Sequence, residues 1–149
     1  MLKDALKLKG RVGIVLKDKD GNVKETRDID NLVVTTGLNY IASRMKDATA
    51  TAMTHMALGS GTTAAAAGNT DLESIIGSRE ALDSTTVTNN AVAYVCTFES
   101  GDATGAVTEA GLFNASSGGT MLCRTVFSVL NIASDDSISV TWTITISAA

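Results

Sequence analysis

Proline is missing from all 149 residues, although average usage would place about seven in a chain of this length. Chain reversals must come instead from Gly, Asn, Asp and Ser, which reach positive φ or bond their own backbone. Thirteen glycines and the pairs Asp20-Gly21, Asn89-Asn90 and Gly118-Gly119 supply them. Cysteine is scarce too: Cys96 and Cys123 are too few for a disulfide framework and are expected as buried free thiols. The single histidine, His55, excludes most histidine-based catalysis. A Ser-His-Asp device needs a positioned nucleophile, and no GxSxG is present. Zinc sites draw on several Cys and His ligands, and residues 55, 96 and 123 have no ligand spacing. Long apolar runs are also lacking, so no stretch approaches the roughly 18 residues of a membrane span. The segment Leu2 to Leu8 is broken by Lys3, Asp4 and Lys7, unlike the apolar centre of a signal peptide.

What is present describes a soluble globular chain, with 44% apolar and 19% charged residues. Its length suits one domain, expected over 10–149, preceded by a basic arm at 1–9. The net charge of −4 is unevenly spread. Residues 1–31 hold eight basic and six acidic side chains, whereas the remainder holds four and ten. An acidic body repels phosphates, so no nucleic-acid partner is expected. Lys3, Lys7 and Lys9 of the arm, with Arg11 just beyond it, suit an acidic protein surface, or the arm is simply a solvated terminus.

Two-residue periodicity dominates. Leu6, Leu8, Val12, Ile14 and Leu16 alternate with Lys7, Lys9, Arg11 and Lys17. The turn KDKDGN leads into VKETRDIDNLVV as a hairpin. Asp18 and Asp20 resemble the start of a calcium loop, but the later acidic ligands are missing. TGLNYIASRMK (36–46) predicts one helix, with Leu38, Ile41, Ala42 and Met45 on its buried stripe and Tyr40 and Arg44 off it. MTHMALGSG reads as a strand ending in a glycine turn, and 62–90 as a loop with one helical turn near Leu72 to Ile76. Beyond Asn90 strand follows strand. In the last, Ile138, Val140, Trp142, Ile144 and Ile146 share one face and a row of Ser and Thr the other. The expected fold is all-β, an antiparallel sandwich or jelly-roll-like barrel with one short helix.

Possible chemistry is thin. GSGTTAAAAG is glycine-rich but lacks the lysine of a phosphate-binding loop. Glu99, Asp102 and Glu109 flank turns and strands, and nothing in the sequence shows that they converge. Glu109, on an inward face, needs a partner, and Arg124 on the following hairpin arm is the candidate for a structural pair. The Ser/Thr face of the last strand is either solvated or suited to close packing against another subunit. Strands 90–99 and 136–147 lack Lys and Pro, so either would invite pairing if it lay on an edge.

N-L-V-V-x-x-G-L (31–38), M-A-L-G-S-G-T (56–62) and T-E-A-G-L-F-N (108–114), in that order, resemble small virion structural proteins of tailed bacteriophages. The resemblance spans about Leu8 to Ser147. It implies a β-sandwich structural protein made in the bacterial cytoplasm, without catalytic site, cofactor or metal. The role expected first is a capsid decoration (cement) protein on the outer shell, with the major capsid protein and copies of itself as partners and no membrane. A tail, neck or fibre-attachment protein is the alternative. A carbohydrate-binding module using the 62–90 loop with Tyr94 or Trp142 is more distant, and an esterase or glycosidase more distant still.

Overall fold

The computed structural model describes residues 4–46 and 50–149, so Lys3 lies outside the described residues. The described residues form ten strands and one helix: β1 (Leu6–Lys17), β2 (Val23–Asp30), β3 (Leu32–Val33), α1 (Thr35–Lys46), β4 (His55–Gly59), β5 (Ile75–Ala81), β6 (Ser84–Thr88), β7 (Ala91–Phe98), β8 (Gly105–Phe113), β9 (Met121–Ile132) and β10 (Ser137–Ala148). They form two antiparallel five-stranded sheets, β2-β1-β10-β7-β6 and β3-β9-β8-β4-β5. The architecture is an all-β sandwich. Between the sheets lies one apolar core in which Val12, Ile14, Phe98, Leu112, Leu130, Val140 and Trp142 are buried. Burying each large apolar side chain contributes roughly 1.5–3 kcal/mol before entropy is charged.

Three expectations change. Residues 6–9, assigned to an arm, open β1 and pair with Thr145 to Ala148 of β10. Leu8 packs on the core from this stretch, which is why it joins the sheet. The 62–90 segment, expected as a loop with a helical turn, contains β5 and β6. Period two is obscured there because β5 is interrupted at Gly77, in the left-handed region at φ 68°, and all five residues of β6 are exposed.

The helix forms where expected, and Ile41 of the expected stripe does pack on the core, but Leu38, Ala42 and Met45 are exposed. Gly37 is buried, and Tyr40 also packs on the core. A Cβ on Gly37 would collide with the Leu122 carbonyl, so the missing side chain lets α1 approach β9 closely. Thr36 Oγ1 donates to the Met121 carbonyl at 2.9 Å and fixes the same docking. Close backbone approach outweighs the apolar stripe.

Candidate docking surface

The inward residues of the first sheet fill the core, so its outward residues form a separate face. Along β10 these are Ser139, Thr141, Thr143 and Thr145, aligned with Val15, Gly13, Arg11 and Lys9 of β1. On the other side they meet Thr97, Val95, Ala93 and Ala91 of β7. Every central side chain is short, so the face is flat and has little rotamer entropy to lose on contact. Gly13 leaves a shallow depression of about 510 Å³, bordered by Lys9, Arg11, Asp28 and the three threonines. β7 and β10 are interior strands, so their lack of Lys and Pro protects no edge and invites no edge pairing.

The structure separates the basic residues expected to contact a partner. Arg11 Nε and Nη2 donate to the two Asp28 carboxylate oxygens at 2.6 and 2.7 Å, and Nη1 reaches Asp30 at 3.4 Å. This guanidinium holds the Asp28 carboxyl below its ordinary range, so Arg11 is already engaged. Lys7 and Lys9 are exposed beside the hydroxyl row and join no ion pair among the described residues. The available positive charge is therefore narrower than the arm as expected.

Glu109 and Arg124 do meet, and both are buried. Arg124 Nε and Nη2 donate to Glu109 Oε2 at 3.0 and 2.8 Å. Glu109 also accepts from the amides of Gly61 (3.0 Å), Glu73 (3.0 Å) and Ser74 (2.8 Å). Burial opposes its ionisation, but the Ser74 and Glu73 amides, Arg124 and the Gly61 amide outweigh it and lower its pKa. The glycine-rich loop does aim a backbone N–H at an anion, and the anion is the protein's own. A side chain at Gly61 would strike that carboxylate. In the sequence, the only signal of this second role is an inward-facing Glu together with a glycine-rich loop.

Other candidates disperse. Asp18 accepts the amides of Asp20 and Asn22, both at 2.9 Å, and shapes the β1–β2 turn. Asp102 accepts the Glu99 amide at 2.8 Å, whereas Glu109 is enclosed with Arg124. His55 Nδ1 lies 2.8 Å from the Thr54 hydroxyl. Cys96 and Cys123 are buried and unpaired. Burial, with Asp83 and Glu80 nearby, pushes the Cys96 thiol up to about 12, and burial alone raises Cys123, so both stay protonated at neutral pH. Among the described residues no three His, Cys, Asp or Glu side chains gather as a metal site, and no helix is long and apolar enough to cross a membrane. Trp142 is fully buried, which removes it as a stacking platform for a sugar, and Tyr94 is nearly so. Tyr94 lines an apolar cleft of about 330 Å³ with Tyr40, Arg44 and Val87. Nothing among protein-family models, curated proteins or solved structures matches this chain.

Proposed function

We propose that this chain is a non-catalytic structural protein of a tailed-phage virion, acting as a decoration protein that grips the outer shell. The flat outer face of the first sheet carries this reading. It combines a hydroxyl row, a depression at Gly13 and the free ammonium groups of Lys7 and Lys9. Such a surface suits a flat, acidic partner, because hydroxyls share hydrogen bonds at little entropic cost and the lysines steer encounter. The virion setting rests on the ordered sequence motifs. The major capsid protein is the partner this reading names, and binding only the assembled lattice would stabilise it by mass action at many sites.

Gly13 offers a clean test. A Cβ there meets only the Thr141 carbonyl, at 3.8 Å, so a side chain projects from the face without disturbing the core. Gly13→Leu is expected to leave the unfolding free energy within about 0.5 kcal/mol of wild type. It should weaken co-sedimentation with purified shells about tenfold, since overfilling a contact costs 1–3 kcal/mol. Unchanged shell binding by this variant would remove the face from the mechanism. Protein stoichiometry of the intact particle then separates the readings: hundreds of copies support the shell, a few dozen support a tail or neck position, and absence from the particle overturns both.

A further inference from the structure

Edge strands in this sandwich are unequally protected. β2 carries Lys24, Glu25, Arg27, Asp28 and Asp30 within eight residues, β5 carries Arg79 and Glu80, and β3 is two residues long. β6 reads STTVT, with no charge and all five residues exposed. It closes on β7 through the two-residue Asn89-Asn90 turn, with Thr88 opposite Ala91. A two-residue hairpin makes that flanking pair the hydrogen-bonded one, so Ser84, Thr86 and Thr88 spend their backbone groups on β7. Thr85 and Val87 direct theirs away from the sheet, and no backbone group among the described residues meets them.

We infer that β6 is the interface through which two copies of this chain join, antiparallel about a two-fold axis at Thr86. A two-fold axis sets a strand against itself, so charged residues risk facing their own kind; β6 has none to repel. Centring on Thr86 places Thr85 opposite Val87 of the second copy in a hydrogen-bonded pair, and the reverse. Both outward N–H groups and both outward C=O groups of each strand then find partners. Asp83, the nearest charge, falls opposite Asn89 of the copy. Its own counterpart lies six residues away along the strand, about 20 Å, beyond the screening length at physiological salt. Val87 is 69% exposed in the single chain and lines the apolar cleft with Thr85 and Tyr94. Pairing sets Thr85 of the copy beside it and joins the two clefts. The two flat outer faces become one ten-stranded surface, so this inference extends the docking reading without depending on shell binding.

Sedimentation equilibrium over a concentration series should show the mass rising to twice the 15.4 kDa of one chain. Thr86→Lys sets two ammonium groups face to face at the axis and should weaken association about tenfold or more. Its unfolding midpoint at low concentration should match wild type, because the side chain is solvent-facing. Thr86→Cys should form a reductant-sensitive disulfide dimer, since Cys96 and Cys123 are buried. Thr88→Cys, which faces Ser84 of the copy, should not. A single-chain mass at every concentration, unaltered association of Thr86→Lys, or equal cross-linking of the two cysteine variants would overturn the pairing. A chain that grips shells as a monomer would remove this interface and leave the docking face standing.

Discussion

At the scale of single residues, Glu109 is one of the most tightly held side chains among the described residues. Its two oxygens accept five hydrogen bonds, three from the 60–74 segment and two from Arg124. Glu109→Gln keeps the shape but replaces one acceptor oxygen by an NH₂ group, which would face donors. It also leaves Arg124 as a buried cation without its counter-charge. Breaking a buried pair from one side costs about 3–5 kcal/mol, a large part of the 5–15 kcal/mol that holds a typical domain together. Urea denaturation should therefore show a midpoint far below wild type. Limited proteolysis should cut first within 60–74, since that segment loses its anchor. A midpoint within experimental scatter of wild type would mean that the carboxylate does not hold the loop.

At the scale of elements, the strands that declared themselves in the sequence are those with one face fully in the core. β10 alternates without a break because Ile138, Val140, Trp142 and Ile144 are all buried while their neighbours look outward. β6 gave no such signal, since a strand with two exposed faces has no reason to alternate. β5 lies on an edge and is interrupted by a left-handed glycine, so its few inward residues make no pattern. The orientation of α1 was hidden for a different reason. Hydrophobic spacing reports which residues are apolar, but Gly37 is decided by how near Leu122 can come. The Glu109–Arg124 pair was legible because a carboxylate on an inward face demands a counter-charge; its grip on the loop needs three backbone amides that no side-chain pattern encodes. The N-terminal boundary has a direct consequence. Leu6 to Lys9 supply four of the twelve residue pairs between β1 and β10. Deleting 1–9 should lower the thermal midpoint measurably, whereas deleting 1–4 should leave those pairs intact. Loss of shell binding in the longer truncation would then report a damaged sheet, and an intact midpoint would place residues 6–9 outside the cooperative fold.

For the molecule as a whole, titration should set stability limits on both sides of neutrality. On the acid side, Asp18 is held low by amides of the β1–β2 turn, Asp28 by Arg11, Asp136 by Lys24 and the Ala133 amide, and Glu109 by its amides and Arg124. Each binds its proton less readily when folded, so the unfolded chain takes up more protons as pH falls. Their contribution is complete above the ordinary carboxylate pKa, near 4, and is lost as pH drops through the lower folded values. On the alkaline side the sign reverses. Burial raises Tyr94 and Cys96 to about 12, and raises Cys123 as well. An unfolded thiol ionises near 8.5, so unfolding releases protons above that pH. Stability supplied by the neutral thiols is complete below about 8.5 and falls as pH rises toward the folded values. Denaturation midpoints measured from pH 2 to 11 should therefore form a plateau from about 5 to 8 with a decline on each side. Replacing both cysteines by alanine should flatten the alkaline decline while leaving the acid one in place. An alkaline limb equally steep in that variant would assign the effect to Tyr94 or to other groups, and so separate the buried thiols from the rest of the core.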